Sequence, residues 1–307
     1  MTNAEPLLAS PRSDTEALLE EIGPKWASDI NKHRDLVIAH YTPKVRHTAD
    51  DGVAIARDLA YGAAPRQTLD VHFDASWRPN TRDVVVFLHG GAFVRGKKSV
   101  NGQVYDNVAH WFARRGIVGV NVEYRLAPAA AYPAGAQDAL HAFRWVQDNI
   151  ARYGGRADRI FLIGHSAGGC HVASAIFDPA CERIADQALA GAILVSARLR
   201  ADTLPDNPNA EGVRAYFGAD PSLYEARSPI SHVHTSNVAL LVAVAQYENP
   251  HLDTYGEAFY RRAQALPRTA LTRFVRLERH NHTSIVAHFN SGEDTLGQAI
   301  TRFMADA

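Results

Sequence analysis

RIFLIGHSAGGC, residues 159–170, is the stretch whose reading decides the fold. Residues 160–163 form a short apolar run of strand-forming type, and the chain after Gly169 reads as a helix. Between them, Ser166 stands in a G-x-S-x-G frame, with Gly164 and Gly168 two positions away on either side. A strand that turns abruptly into a helix lifts the serine hydroxyl clear of the backbone. A side chain two residues away would strike the adjoining strand or helix. The helix N-terminus below adds a favourable dipole for developing negative charge. The stretch therefore reads as a nucleophile elbow with Ser166 as the attacking group.

Outward from it, β-rich runs recur: VVVFLH from Val84, GIVGVNVEY from Gly116, GAILVSA from Gly191, VALLVAVA from Val238 and LTRFVRLE from Leu271. Such continuous runs suit strands covered on both faces. Helix-like segments lie between them, including those from Ala136 to Tyr153 and from Tyr255 to Leu266, as parallel strands joined by crossovers require. Before this pattern, IARDLAY and TLDVHFD alternate apolar and polar residues and read as an opening antiparallel hairpin or meander. The fold class is α/β.

The first fifty residues look helical: Ser13 and Glu16 form a capping-box signature, and Leu18, Leu19, Ile22, Trp26 and Ile30 recur at helical spacing. Gly23-Pro24 divides this stretch into two short helices, glycine suiting a helix end and proline the first turn of the next. Residues 198–236 carry prolines, asparagines and fragments such as PSLYEA, and are too long for a simple connection. The whole of 1–307 is expected to be one domain, with residues 1–50 and 198–236 contributing a cap over the pocket.

A chain that is 46% hydrophobic and 21% charged, with a formal net charge of -1, has no field to attract nucleic acid or acidic lipid. Small molecules are the expected partners. Cys170 falls in the expected buried helix after Ser166, so a disulfide with Cys181 is not expected, and a reducing cytoplasm fits best. The acidic, proline-broken N-terminus does not read as a signal peptide, and no apolar run is long enough for a membrane span.

HGGAF, residues 89–93, directly follows the first long strand. Small residues here let backbone amides turn into a pocket, so the N–H groups of Gly91 and Ala92 are expected to join that of Ala167 as an oxyanion hole.

HGGAF, YRLAP (124–128), YPAGAQDAL (132–140) and GHSAGG (164–169) stand in the order and approximate spacing of a known family. From about Leu69 onward, the chain resembles the hormone-sensitive-lipase-like carboxylesterases of the α/β-hydrolase superfamily and their arylformamidase relatives. The resemblance implies an eight-stranded, mostly parallel sheet with helices on both faces, a small helical cap and no cofactor. Ala92 and His165 stand where the lipase-like branch has a third glycine and an aspartate, and lean towards the arylformamidase-like and feruloyl-esterase-like side.

The resemblance also implies the base. HTSIVAHF matches the family pattern from His282, whereas His280 comes two residues too early. The triad acid belongs at the end of VALLVAVAQY, where Glu248 stands; Asp253 is the alternative, with a competing role as a cap for the following helix. Arg125 and Asp138 match family positions and read as a buried pair holding the YRLAP loop. His232, His234, His251 and His280 lack metal-ligand spacing, so no metal is expected. Lys97-Lys98 reads as a solvated loop. The expected activity is serine-dependent hydrolysis of a small carboxylic ester, with arylformamidase-type amide hydrolysis and a non-catalytic binding homologue as alternatives. An exposed edge of the sheet offers a route to a homodimer.

Overall fold

The computed structural model describes residues 13–46, 51–76, 81–185, 188–234, 236–267 and 270–307. Among these, eight strands form one sheet: β1 (Val53–Ala60), β2 (Thr68–Asp74), β3 (Arg82–Leu88), β4 (Val118–Val122), β5 (Gly155–His165), β6 (Gly191–Val195), β7 (Ala239–Tyr247) and β8 (Thr272–Asn281). Their spatial order is β1-β2-β4-β3-β5-β6-β7-β8. β2 pairs antiparallel with β1 and β4, and from β4 to β8 all neighbours are parallel. The helices are α1 (Asp14–Ile22), α2 (Ile30–Tyr41), α3 (Asp106–Ala113), α4 (Ala134–Asn149), α5 (Ala167–Phe177), α6 (Ala210–Phe217), α7 (Leu252–Gln264), α8 (Ser284–Ala287) and α9 (Thr295–Asp306). This is the α/β architecture expected from the runs of sequence, with the hairpin at one edge. None of these helices is long and apolar enough to cross a membrane.

β3 explains why the runs are continuously apolar. Val84, Val86 and Leu88 belong to a core shared with Phe143 of α4, Ile176 of α5 and Phe259 of α7. Val85 and Phe87 belong to a second core with Trp111 of α3 and Ile300 and Phe303 of α9. With a dry layer on each face, both alternating sets of side chains must be apolar.

Several boundaries differ from expectation. α4 starts at Ala134 and stops at Asn149, after which residues 150–153 tighten into a 3-10 turn that ends at Gly154 with φ 83°. α7 starts at Leu252, ahead of Tyr255. β8 continues beyond Glu278 to Asn281 because the ladder with β7 shifts register between Ala245 and Tyr247. There the Gln246 side chain accepts the Arg279 amide at 2.6 Å, and Arg279 takes φ 67°.

The capping box at α1 is present, the Glu16 amide donating to Ser13 Oγ at 3.2 Å and the Ser13 amide to Glu16 Oε2 at 3.1 Å. Gly23 and Pro24 open a 3-10 turn over Gly23–Ser28, and Asp29 caps α2. Gly23 has an ordinary φ of -52°, so it is not needed as a left-handed helix end. It is needed for approach: a Cβ there would lie 2.3 Å from the Tyr247 ring. Residues 1–12 and 47–50 of the first expected cap segment, and position 235 of the second, lie outside the described residues. The second segment forms α6 and short 3-10 turns over Pro221–Leu223, Glu225–Arg227 and Pro229–His232.

Lys98 corrects the reading of a solvated Lys97-Lys98 loop. Lys97 is exposed, but Lys98 is buried and its Nζ donates to Asp70 and Asp58. Asp70, on β2, also accepts from Arg57 at 2.8 Å. A buried carboxylate demands cations, and the chain supplies one from a loop that sequence alone assigns to solvent. Lys98→Met should cost on the order of 3 kcal/mol of folding stability by leaving Asp70 underpaired. Chemical denaturation of the two proteins measures it, and a change below about 0.5 kcal/mol would show the pair to be dispensable.

Candidate active site

The C-terminal ends of the parallel strands converge on one cleft, the usual place for a site in an open α/β sheet. β5 ends at His165, and Ser166 takes φ 55° and ψ -115° before α5 begins at Ala167. The contacts explain the flanking glycines. A Cβ on Gly164 would come within 2.5 Å of the Gly168 carbonyl, and one on Gly168 within 2.2 Å of the Leu88 carbonyl. The Ser166 amide donates to Val195 O at 3.0 Å, and the Arg198 amide donates to Ser166 O at 3.1 Å, so β6 and its exit hold the turn on both sides.

His282 occupies the turn between β8 and α8. Its Nε2 lies 3.1 Å from Ser166 Oγ, and its Nδ1 lies 2.7 Å from Glu248 Oε2. The Glu248 side chain is only 2% exposed, yet each oxygen is engaged. Oε1 accepts the Ala245 amide at 2.8 Å and the Ser196 hydroxyl, leaving Oε2 for the imidazole. A carboxylate so held accepts a hydrogen bond from Nδ1–H, which leaves Nε2 free to accept from the Ser166 hydroxyl. Asp253 is not brought to this cluster. It is half-buried in the first turn of α7, where Oδ1 accepts the Thr254 amide at 2.8 Å. His280 is also elsewhere, buried with Nδ1 3.1 Å from Ser284 Oγ, and burial with the nearby His288 pushes its pKa down to about 3.

The loop after β3 is strained where the amides must turn. Gly91 has φ 155°, and the non-glycine residues Ala92 and Phe93 have φ 50° and 70°. Among the described residues, no protein acceptor takes the Gly91 or Ala92 amide. The Ala167 amide, first in α5, has no intrahelical acceptor. Gly91, Ala92, Ser166 and His282 line a cleft of about 80 Å³.

Sequence reasoning missed the side chains behind this face. Tyr105 Oη lies 3.3 Å from His165 Nδ1, and His165 Nε2 lies 2.9 Å from the His282 carbonyl. Burial, followed by the charge of His282, drives the His165 pKa well below its ordinary value, so the ring is neutral. Its single proton goes to the His282 carbonyl from Nε2, and Nδ1 accepts from Tyr105. These bonds tie Tyr105 to the backbone of His282. No motif signals them, because Tyr105 comes from the start of α3, far from both partners in sequence.

Arg125 and Asp138 form the pair read from sequence, Arg125 donating from Nη2 at 2.7 Å and from its amide at 2.8 Å. Among the described residues, no group of three or more His, Cys, Asp or Glu side chains is arranged to hold a metal ion. His251 instead lies 2.9 Å from Asp206, and His232 lies 2.7 Å from the Ala226 carbonyl.

Tyr105→Phe should strand His165 Nδ1 in a buried setting, at a cost of about 2 kcal/mol in stability. Urea unfolding of wild type and variant checks this, and equal midpoints would mean that water or a shifted backbone replaces the phenol.

Residues 69–177 match the family model described as BD-FAE. Carboxylesterase NlhH of Mycobacterium tuberculosis is 38% identical over 145 residues, covering 41% of this chain and 44% of that protein. Carboxylesterase 1D of Rattus norvegicus is 32% identical over 150 residues, covering 45% of this chain and 26% of that protein. The chain thus spans less than half the length of the curated relatives it matches. Solved structures align over nearly the whole chain. An inhibited esterase B from Lactobacillus rhamnosis gives a TM-score of 0.71 at 21% identity, covering 94% of this chain and 96% of that one. A hyperthermophilic esterase from Pyrobaculum calidifontis gives 0.69 at 20%, covering 96% and 99%. By its sheet and by these likenesses the chain has the α/β-hydrolase fold, and its central segment is similar to carboxylesterases.

Proposed function

We propose that the protein is a serine carboxylesterase acting on small esters, with Ser166 as nucleophile, His282 as general base and Glu248 as the acid that orients it. The observation that carries this reading is the hydrogen-bonded series Ser166, His282, Glu248, with separations of 3.1 and 2.7 Å. Its orientation leaves Nε2 as a proton acceptor facing the hydroxyl. Ser166 Oγ attacks the carbonyl carbon as its proton passes to His282. The oxyanion is received by the amides of Gly91, Ala92 and Ala167, and the leaving alkoxide takes the proton back from His282. Water, deprotonated by the same imidazole, then releases the acid from Ser166.

The likeness to carboxylesterases in the central segment supports the ester as substrate, and a cleft of about 80 Å³ supports a short acyl group. The N-terminal helices and the 198–236 segment serve as the cap: Ile30 and Arg34 of α2, and Asn209 before α6, border the cleft. Cys170 and Cys181 are both buried free thiols, which supports a reducing compartment such as the cytoplasm as the place of work.

Ser166→Ala should lower kcat on p-nitrophenyl acetate by about a million-fold, as for other hydroxyl nucleophiles of this type. Wild-type turnover should fall from acetate and butyrate to octanoate. Half the activity remaining in the variant would remove Ser166 from the chemistry, and a strong preference for an aryl formamide in the same series would move the reading to amide hydrolysis. Glu248→Gln should cost far more kcat than Asp253→Asn, and the reverse ranking would reassign the acid.

A further inference from the structure

The cleft over Ser166 is lined by two arginines, Arg34 from α2 and Arg95 from the loop that follows Phe93, and no Asp or Glu is among its lining residues. The chain as a whole is not basic, its formal net charge being -1, so this positive lining is a local feature. Arg34 is partly committed already: its guanidinium donates to Asp35 at 2.9 Å and to Asn31 at 3.0 Å. Arg95 is different. Among the described residues it has no ion pair, and its hydrogen bond is to the neutral Asn209 side chain at 3.1 Å. A guanidinium has five donors arranged to grip a planar anion, and most of those of Arg95 are left for whatever enters the cleft.

Three further features fix Arg95 where it stands. Its amide donates to Gly91 O at 3.0 Å, so the turn that aims the Gly91 and Ala92 amides also aims the base of this side chain. A Cβ on Gly91 would fall 1.8 Å from the Arg95 carbonyl, so the turn cannot open without losing the glycine's place. Asn209 lies at the N-terminal boundary of α6, which is packed so closely on the loop that a Cβ on Gly212 would lie 2.2 Å from the Ala92 carbonyl. Burial and the like charge of Arg34 lower the Arg95 pKa from its ordinary value. Two cations at one mouth repel each other, and an arriving anion relieves both.

We propose that the natural substrate carries a carboxylate beside its scissile ester, and that Arg95, assisted by Arg34, binds that carboxylate and orients the ester over Ser166. This rests on the esterase reading given above and narrows it from small esters to small anionic ones. Arg95 would act as a specificity residue, through ground-state and transition-state binding alike, because it grips a part of the substrate that does not react.

The experiment compares matched probes that differ in charge: 4-acetoxybenzoate against 4-acetoxybenzamide, with the anion in the leaving group, and mono-p-nitrophenyl adipate against its adipamide analogue, with the anion in the acyl group. The readout is the ratio of kcat/KM, anionic over neutral. In wild type at least one ratio should exceed one and fall as NaCl is raised, because exposed charges are screened. Arg95→Gln should reduce that ratio by about tenfold or more, the worth of a charge-assisted hydrogen bond. Arg95→Lys, keeping the charge without the fork, should restore part of it. Taking the ratio within each variant removes any general loss of folding or turnover. If both wild-type ratios are one or below, or if Arg95→Gln keeps the preference, the anionic substrate is overturned while the esterase reading stands. If wild type shows no Ser166-dependent turnover of even the neutral probes, the esterase reading itself has failed.

Discussion

The left-handed backbone of Ser166, φ 55° with ψ -115°, is the constraint on which the site depends. A non-glycine residue does not adopt it unaided, and the cost is of order 1–3 kcal/mol. It persists because its surroundings over-determine it. Val195 accepts its amide, and Arg198 and Cys170 donate to its carbonyl. Gly164, Gly168 and Gly169 let the strand, the helix and the Ala197 side chain close in around it. The neighbouring strands β3 and β6 therefore have to be in register with β5 before the serine can point into the cleft. Sheet assembly and site assembly are the same event at this position.

Strain of the same kind recurs around the cleft. Ala92 and Phe93 leave the end of β3 with positive φ, and Ser196 leaves the end of β6 with φ 47°. Ser196 matters because its hydroxyl donates to the Glu248 carboxylate. In spatial order, β3 supplies the amide turn, β5 the serine, β6 the hydroxyl that steadies the acid, β7 the acid, and β8 the histidine. Each strand contributes at its C-terminal end, so a single sheet edge gathers groups that are more than a hundred residues apart in sequence, such as Ser166 and His282.

The parts of this arrangement that were legible in the sequence are those whose physics is local. The elbow needs glycines at fixed offsets from its serine, and β3 to β7 need apolar runs because both faces are covered, so both announce themselves in a short window. β8, at the sheet edge, departs from that expectation, being mostly half-buried or exposed and carrying Arg273, Arg276 and Glu278. Glu248 could be chosen over Asp253 because the strand end could be located, although neither carboxylate differs chemically. What was not legible depends on distances across the fold. Lys98 resembles any surface lysine until β2 is seen to bury Asp70 beneath it. Gly23 resembles a helix stop until the Tyr247 ring is seen against it. Tyr105 and His165 lie in no common window, and Arg95 acquires meaning only when α2 brings Arg34 to the same cleft.

The N-terminal helical segment also reaches the residues behind the cleft. Trp26 Nε1 donates to Asn249 Oδ1 at 3.0 Å, directly beside Glu248, and Arg279 reaches Glu16 at 2.8 Å. Gly23 presses on the ring of Tyr247, and the carbonyl of Tyr247 accepts the His282 amide at 3.1 Å. The same segment therefore touches the loop that carries Glu248 and, through Tyr247, the backbone of His282. On the opposite side, His165 holds the His282 carbonyl. With its amide and carbonyl fixed from two directions and its Nδ1 held by Glu248, the imidazole is kept with Nε2 towards Ser166 Oγ. The docked N-terminal segment thus helps to fix the backbone of His282 while its α2 residues Ile30 and Arg34 border the cleft over Ser166.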